Sequence, residues 1–212
     1  MKDDRKARAF DAIVRVVQDI LESEGYDAVQ PRVVAKRARV SLTTIYKFAP
    51  TRDDLIVSAL EQWMQANGIS RMVDPPTQAS PLDGLMWVYR QLFEPWERSP
   101  RMLEAYHRAR AGPGGERLDV QSAQAMEPVA RAFLEKLDPT YANDVGNIMT
   151  NMICGVIQRC AIGELPVSEV LPVLERTLFR LTTNNEPFAG IGARRGRLTK
   201  RRSTRASRPR KS

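Results

Sequence analysis

The stretch from Gly25 to Leu55 constrains the fold most strongly, because it predicts two short helices joined by a tight turn. Pro31 suits the first position of a helix, where its missing N–H would be unpaired in any case. Behind it, apolar residues recur at helical spacing, at Val34, Ala35 and Ala38. Ser41 is a preferred N-cap residue and predicts a second helix from Leu42 to about Phe48. This pattern is typical of a helix-turn-helix.

The side chains left facing outwards on this helical pair suit contact with DNA. A threonine can hydrogen-bond a base edge or contact a thymine methyl group. Tyr46 and Lys47 are typical phosphate anchors, which position a protein on the duplex without reading its sequence. The alternative is a solvated helical hairpin, which two basic-faced helices on so short a turn disfavour. We therefore predict double-stranded DNA as a partner.

The same stretch resembles the DNA-binding region of the TetR family of one-component bacterial regulators. The matching positions are Gly25-Tyr26, Ala35, Ala38, Val40-Ser41, Ile45-Tyr46, Phe48, Pro50-Thr51 and Arg52. Three positions depart from the family pattern: Arg39 replaces the usual turn glycine, Thr43 a frequent glycine and Ala49 a core phenylalanine. With the motif assigned, the predicted DNA-binding residues are Arg32, Ser41, Thr43, Thr44, Tyr46, Lys47 and Arg52.

Helix signals recur along the rest of the chain, and no segment predicts a strand. Thr51 and Asp54 resemble a capping box that opens a fourth helix, after a first helix over 5–24. Beyond a predicted loop over 67–79, further helices are expected over 80–95, 99–110, 116–137, 138–162 and 168–183. We therefore predict an all-α fold with a three-helix helix-turn-helix domain over residues 1–50. A helical domain follows over 51–189, to which the resemblance assigns effector binding and dimerisation.

The net charge of +8 comes from the C-terminal end of the chain. Residues 190–212 hold ten Lys and Arg and no acidic residue, which leaves 23 basic against 25 acidic residues in the remainder. Burial cannot offset the entropy of ordering so polar a segment, so a disordered basic tail is predicted. The tail is either a solvated extension or a nonspecific DNA tether, whose affinity would fall steeply with salt.

The residues needed for a catalytic or metal site are missing from the pattern. His107 is the only histidine, which excludes a histidine-based metal centre, and the two cysteines lack metal-ligand spacing. The glycines of residues 112–115 are not followed by the Lys-Ser/Thr of a phosphate loop. No apolar run approaches the ~18–20 residues that a membrane span needs. We expect a cytoplasmic protein that is not an enzyme and has no metal, cofactor or membrane partner.

Large, soft side chains are concentrated in the predicted second domain. Most of them will be core, but methionines and aromatic residues also line adaptable apolar pockets. The TetR resemblance implies that some of them surround a small-molecule effector. Within the family, the sequence most resembles regulators of steroid and fatty-acid catabolism, whose effectors are acyl thioesters or other lipids. The predicted pocket residues are Met86, Trp87, Tyr89, Phe93, Tyr106, Met126, Phe133 and Met149.

A homodimer is predicted because one recognition helix reads few base pairs, whereas two copies related by a two-fold axis read a palindrome. The last two helices carry more apolar residues than one buried stripe requires, unless one chain buries them all. The predicted interface residues are Ile148, Met152, Gly155, Val156, Leu171, Leu174 and Leu178. Together with the TetR resemblance, which implies the effector, the sequence predicts a homodimeric repressor that a small apolar or acyl-type ligand releases from a palindromic operator. The alternative is a constitutive DNA-binding protein with no ligand and a core filled solid.

Overall fold

The structure of the protein is a computed structural model that describes residues 2–76, 78–135 and 137–182. Over these ranges the chain forms nine α-helices, three 3-10 helices and no strand, which confirms the predicted all-α fold. The α-helices are α1 (Lys2–Ser23), α2 (Pro31–Arg37), α3 (Leu42–Phe48), α4 (Arg52–Asn67), α5 (Pro81–Arg98), α6 (Pro100–Arg110), α7 (Glu116–Leu134), α8 (Pro139–Ala161) and α9 (Val170–Thr182). The predicted tail over 190–212 lies outside the described residues.

Helices α1 to α3 form the head, and each contributes side chains to the hydrophobic core. Val17 of α1, Val34 of α2 and Ile45 of α3 are fully buried. The Oγ of Ser41 accepts a hydrogen bond from the Thr44 backbone N–H at 3.1 Å and begins α3 as predicted. Arg39 adopts a φ of 55° in the turn, in the left-handed region that favours glycine. The helix-turn-helix therefore keeps its backbone geometry with a strained arginine in the turn.

Helix α4 joins the head to the body, which comprises α4 to α9. The predicted capping box is present: Thr51 Oγ1 accepts from the Asp54 N–H at 3.0 Å, and the Asp54 carboxylate accepts from the Thr51 N–H at 3.2 Å. Helix α4 packs on α1 of the head and on α6 and α7 of the body. The amide of Gln18 also donates to the Ala59 carbonyl at 2.9 Å. Head and body consequently share one hydrophobic core.

Helix α5 continues through Pro95 to Arg98, whereas the sequence predicted its end near the proline. A proline inside a helix costs about 3 kcal/mol. The ring of Trp96 is buried, with its centroid 4.4 Å from that of Trp63 and 5.4 Å from that of Tyr106. Burying a large apolar side chain contributes about 1.5–3 kcal/mol, and each aromatic pair about 0.5–1.5 kcal/mol more. Packing of this aromatic stack therefore offsets the proline.

Other boundaries differ from the predictions by small amounts. Helix α7 ends at Leu134, three residues earlier than predicted, and passes through Pro128. The predicted loop over 67–79 contains a 3-10 helix, Ile69–Arg71. Another 3-10 helix, Val167–Glu169, precedes α9. Within the parts of the chain that the structure describes, none of the helices is long and apolar enough to cross a membrane.

The body is arranged around α5, which packs on both α7 and α9, while α8 packs on α6 and α9. Gly84 on α5 permits the close approach of α7, because a Cβ at this position would overlap the ring of Phe133. Both residues are buried. The glycine is therefore required by packing against a neighbouring helix.

We expect Gly84→Ala to lower the free energy of unfolding by about 1–3 kcal/mol, because overpacking forces the Phe133 ring or the backbone to shift. Gly146→Ala is the matched control, since a Cβ there meets nothing within 4 Å and alanine favours a helix. Urea denaturation followed by circular dichroism measures both. Equal effects of the two substitutions would contradict the packing argument.

Candidate DNA-binding face and effector cavity

Helix α3 turns a polar face to the outside because Ile45 occupies its opposite side and is fully buried. Thr43, Tyr46 and Lys47 are exposed, and Tyr46 has 49% of its surface open to solvent. Burial in the core gives no reason for so exposed a ring. A hydroxyl, a phenol and an ammonium group on one short helix match the phosphates and base edges of a DNA groove. Arg32 on α2 is also exposed, as predicted.

Ser41 and Thr44, two of the predicted DNA contacts, are hydrogen-bonded to each other. Their hydroxyl oxygens lie 2.8 Å apart, and Ser41 Oγ also accepts from the Thr44 backbone. These hydroxyls therefore cap the N-terminus of α3. The cap fixes the first turn of the helix and thereby orients the exposed side chains that follow.

Arg52 was predicted to contact DNA, but its side chain instead forms hydrogen bonds within the protein. Its Nε donates to the Val29 carbonyl at 2.7 Å and its Nη2 donates to the Tyr26 carbonyl at 2.6 Å. Its guanidinium also lies 4.8 Å from the centre of the Tyr26 ring. The family motif locates this residue along the chain, but its partners lie more than twenty positions away, so only folding reveals them.

The ring of Tyr26 is contacted by two arginines, one from the start of α4 and one from α6 of the body. The guanidinium of Arg108 on α6 lies 4.2 Å from the ring centre, in addition to that of Arg52. Arg108 also donates to both carboxylate oxygens of Asp27, at 2.7 and 3.0 Å, which lowers the pKa of Asp27. We call Tyr26, Asp27, Arg52 and Arg108 the Tyr26 clamp. Sequence reasoning missed it because Asp27 and Arg108 are 81 residues apart.

Further contacts attach α6 to the end of α1. The guanidinium of Arg101 donates to the Ser23 carbonyl, at the end of α1 where helical partners run out, and also to the Glu22 carbonyl at 3.3 Å. Ser99 Oγ lies 3.1 Å from the Glu22 carboxylate. Helix α6 and the residue before it therefore bind the head through specific polar contacts.

A cavity of about 820 Å³ lies in the body, with residues of α4 to α8 on its wall. Ligand sites commonly have volumes of about 300–1,000 Å³. Five of the eight predicted pocket residues line this cavity: Tyr89, Phe93, Tyr106, Met126 and Met149. The aromatic residues Trp63 and Trp96 also line it, and sequence reasoning left them out.

Met86, Trp87 and Phe133 do not line the cavity, in contrast to the prediction. Phe133 packs on Gly84 instead, and Met86 is buried with 2% of its surface accessible. Helix α5 contacts several helices, and helical periodicity does not tell which apolar side chain meets a neighbour and which meets the cavity.

A polar cluster interrupts the apolar wall. Nε of Arg110 lies 2.6 and 2.8 Å from the two carboxylate oxygens of Asp119. The Tyr106 hydroxyl donates to Asp119 at 3.2 Å, and Nη2 of Arg110 donates to Cys154 Sγ at 3.5 Å. Burial, and then the Asp119 charge, raise the pKa of Tyr106 to about 12, so its hydroxyl stays protonated. The hydrogen bond to Asp119 raises the pKa of Arg110. Sequence reasoning missed this cluster because its members lie on three different helices, α6, α7 and α8.

Three of the seven predicted dimer residues are buried within one chain: Val156, Leu174 and Leu178. These residues pack among α5, α8 and α9 and have almost no surface left for a second copy. Gly155 and Ile148 are exposed, while Met152 and Leu171 are half-buried. Ile162 and Phe179, which are not among the predicted interface residues, are 59% and 47% exposed.

Comparisons with known proteins agree with this architecture. Residues 79–181 match the family model of the tetracyclin repressor-like C-terminal domain. Over 106 residues the chain is 34% identical to the HTH-type transcriptional repressor KstR of Rhodococcus jostii, covering 50% of this chain and 47% of that protein. The chain thus spans about half the length of the curated relatives it matches.

Solved structures are similar over a larger part of the chain. A TetR transcriptional regulator from Rhodococcus sp. RHA1 matches with a TM-score of 0.62 and 21% identity, covering 88% of this chain and 99% of that one. Thermus thermophilus FadR in complex with lauroyl-CoA matches with a TM-score of 0.56 and 18% identity, covering 81% and 93%. At these identities the similarity concerns the fold.

Proposed function

Because the chain belongs to the TetR family of transcriptional regulators, we propose that it is a DNA-binding repressor that a small apolar or acyl-type effector releases from its operator. The family consists of regulators and not enzymes, as the sequence predicted. One observation carries the proposal: the same chain joins an exposed polar face on α3 to a cavity of about 820 Å³. A protein acting on the chromosome would work in the cytoplasm.

The proposed DNA contacts divide into two kinds. Lys47, Tyr46 and Arg32 would hold phosphates and so set the register of α3 on the duplex. Thr43 would reach a base edge, since its side chain is exposed on the same helix. Ser41 and Thr44 act through the capped backbone of α3. Arg52 supports this face from within the head.

The exposed polar face of α3 is small and would read few base pairs, so the proposed repressor would bind a palindrome as a homodimer. The exposed side of α8 repeats at intervals of four and three residues at Ile148, Met152 and Gly155, as in a helix-packing seam. Phe179 on α9 adds an exposed aromatic ring. Two such surfaces related by a two-fold axis would form a four-helix bundle between copies. We therefore assign the dimer contact to Ile148, Met152, Gly155 and Phe179, and leave out the three predicted residues that are buried within one chain.

The cavity supports effector control over the alternative of a constitutive DNA-binding protein, which would have a filled core. Thermus FadR was solved with lauroyl-CoA, which supports an effector with an acyl chain. The KstR relatives are transcriptional repressors, which supports repression. Helix α6 carries Tyr106 and Arg110 on the cavity wall and Arg108 on the Tyr26 clamp. An effector that shifts α6 would thereby move the head.

The test of DNA binding begins with an operator selected from random duplexes by the full chain, which we expect to be an inverted repeat. Lys47→Ala should weaken binding to all sequences and reduce the slope of log K against log salt by about 1, as for one lost phosphate contact. Thr43→Ala should instead change the preference at one base position by about 1–3 kcal/mol.

Arg90→Ala is the matched control for Lys47→Ala, because it removes one exposed charge from the body, where it pairs with Glu175 at 3.6 Å. Fluorescence anisotropy at several salt concentrations measures both variants. An unchanged salt slope for Lys47→Ala, or the same decrease for Arg90→Ala, would refute the assigned face.

A further inference from the structure

The polar cluster on the cavity wall indicates which chemistry the effector presents, an inference that rests on the proposed function of the cavity. Arginine has five N–H donors. Arg110 uses Nε on Asp119 and one Nη2 hydrogen on Cys154. Among the described residues no further acceptor for this guanidinium is found, so donors remain for a ligand. When an apolar ligand displaces water, each donor left without an acceptor costs about 1–3 kcal/mol. The ligand must therefore supply a hydrogen-bond acceptor.

The charge of Arg110 is already neutralised. Asp119 lies against it at 2.6 Å, so a ligand carboxylate placed on the guanidinium would approach a second carboxylate. Like charges at close range repel, and the repulsion grows when the ligand displaces water from between them. An uncharged acceptor, such as the carbonyl of a ketone or an ester, meets the spare donors without that repulsion.

The rest of the wall is unsuited to a phosphorylated ligand. The ionisable residues of the described lining include three carboxylates and two guanidiniums: Asp119, Glu127, Glu135, Arg110 and Arg131. Arg131 is itself paired with Glu127. On the α8 side the polar lining is neutral, with Asn143, Asn147 and Thr150. A coenzyme A group carries several phosphate charges, and phosphates are normally held by unpaired arginines and lysines.

We propose that the effector is an uncharged apolar molecule bearing a carbonyl-type acceptor, which Arg110 recognises while Asp119 holds the guanidinium in place and Tyr106 holds Asp119. This assignment separates the chain from a regulator that binds a coenzyme A thioester or a free fatty acid. Arg110 acts as the specificity-determining residue, and the aromatic and aliphatic wall supplies the apolar contacts.

Two fluorescent probes test the role of Arg110 in the full chain. Nile red is uncharged and has a carbonyl acceptor, whereas diphenylhexatriene is uncharged and has none. We expect Arg110→Met to weaken Nile red binding about tenfold, the loss of a hydrogen bond to a charged donor, and to leave diphenylhexatriene binding unchanged. If Arg110→Met alone folds poorly because Asp119 is left unpaired, the double variant Arg110→Met with Asp119→Asn takes its place. It removes both charges together and should likewise weaken Nile red binding and leave diphenylhexatriene binding unchanged. Equal effects on both probes would overturn the proposal.

A cavity-filling variant separates this proposal from the function on which it rests. Ala130 lies on the cavity wall, and Ala130→Trp should block both probes. Probe binding that is indifferent to Ala130→Trp would overturn the cavity as an effector site. Binding that Ala130→Trp blocks but Arg110→Met does not alter would overturn the assigned recognition alone.

The charge of the ligand is tested by displacement of diphenylhexatriene with one acyl chain and three head groups. Methyl laurate should displace the probe at a concentration at least about tenfold lower than laurate or lauroyl-CoA, because only the ester is uncharged. Displacement by either anion at an equal or lower concentration, or no displacement by methyl laurate, would overturn the proposal.

Discussion

Replacing Ile148 and Phe179 together by glutamate is expected to give a folded monomer of 23.9 kDa. For the unaltered chain, the proposed homodimer predicts twice that mass in solution. Both side chains are about half exposed on one chain, at 46% and 47%, so the glutamates reach water in the monomer. In a dimer that buries this surface, four unpaired carboxylates would leave solvent, at a cost of several kcal/mol. Light scattering measures the mass, and circular dichroism checks that the helices remain.

Loss of the dimer should also remove operator binding. A monomer reads one half-site only, and each unread base pair costs about 1–3 kcal/mol of discrimination, so we expect affinity to fall at least about a hundredfold. Anisotropy with the selected duplex measures this loss. A monomeric wild-type chain, or a double variant that remains dimeric, would contradict the assigned surface.

Leu174→Glu is the matched variant in the core of the same helix as Phe179. Leu174 is fully buried among α5, α8 and α9, so its replacement places an unpaired charge inside one chain. The expected cost is about 3–5 kcal/mol, a large part of the stability of an ordinary domain. We therefore expect partial or complete unfolding, seen as a lowered urea midpoint. If the Leu174→Glu variant were a stable, folded monomer, this leucine would serve the interface after all.

Replacing Tyr26 by leucine is expected to loosen the head on the body while the body remains folded. The substitution keeps an apolar side chain but removes the ring that Arg52 and Arg108 both contact. Each cation–π contact contributes about 0.5–1 kcal/mol when partly exposed, so the opening of the head should increase about tenfold. Hydrogen exchange should become faster in α2 and α3 and stay unchanged in α8 and α9. Operator affinity should fall about as much, because the two heads must be held at a fixed separation.

Tyr26→Phe is the control, since it keeps the ring and removes only the hydroxyl. We expect exchange rates and operator affinity close to those of the unaltered chain. If the phenylalanine variant loosened the head as much as the leucine variant, the ring would not be the group that holds the clamp. Unchanged exchange in both variants would mean that Arg101 and the α1 contacts suffice.

The parts of this structure that the sequence determined by itself are local. Ser41 caps α3, and the capping box of Thr51 and Asp54 opens α4, because the hydrogen-bonding partners lie three residues apart. The same holds for the exposed face of α3, where burial of Ile45 at helical spacing turns Thr43 and Lys47 outwards. Caps and helical periodicity depend on neighbours along the chain, so they are legible before folding.

Tertiary structure decided which apolar surface meets which partner. Helical periodicity predicted apolar stripes on α5, α8 and α9. It did not predict that Phe133 packs on Gly84, that Leu174 is buried within one chain, or that Phe179 is about half exposed. It also decided that Arg52 turns inwards to Tyr26, and that Arg110 meets Asp119 on the cavity wall. These contacts join different elements, and their existence depends on the approach of whole helices. A stripe of apolar residues indicates that one face of a helix is buried, but only the tertiary structure shows which neighbouring element covers that face.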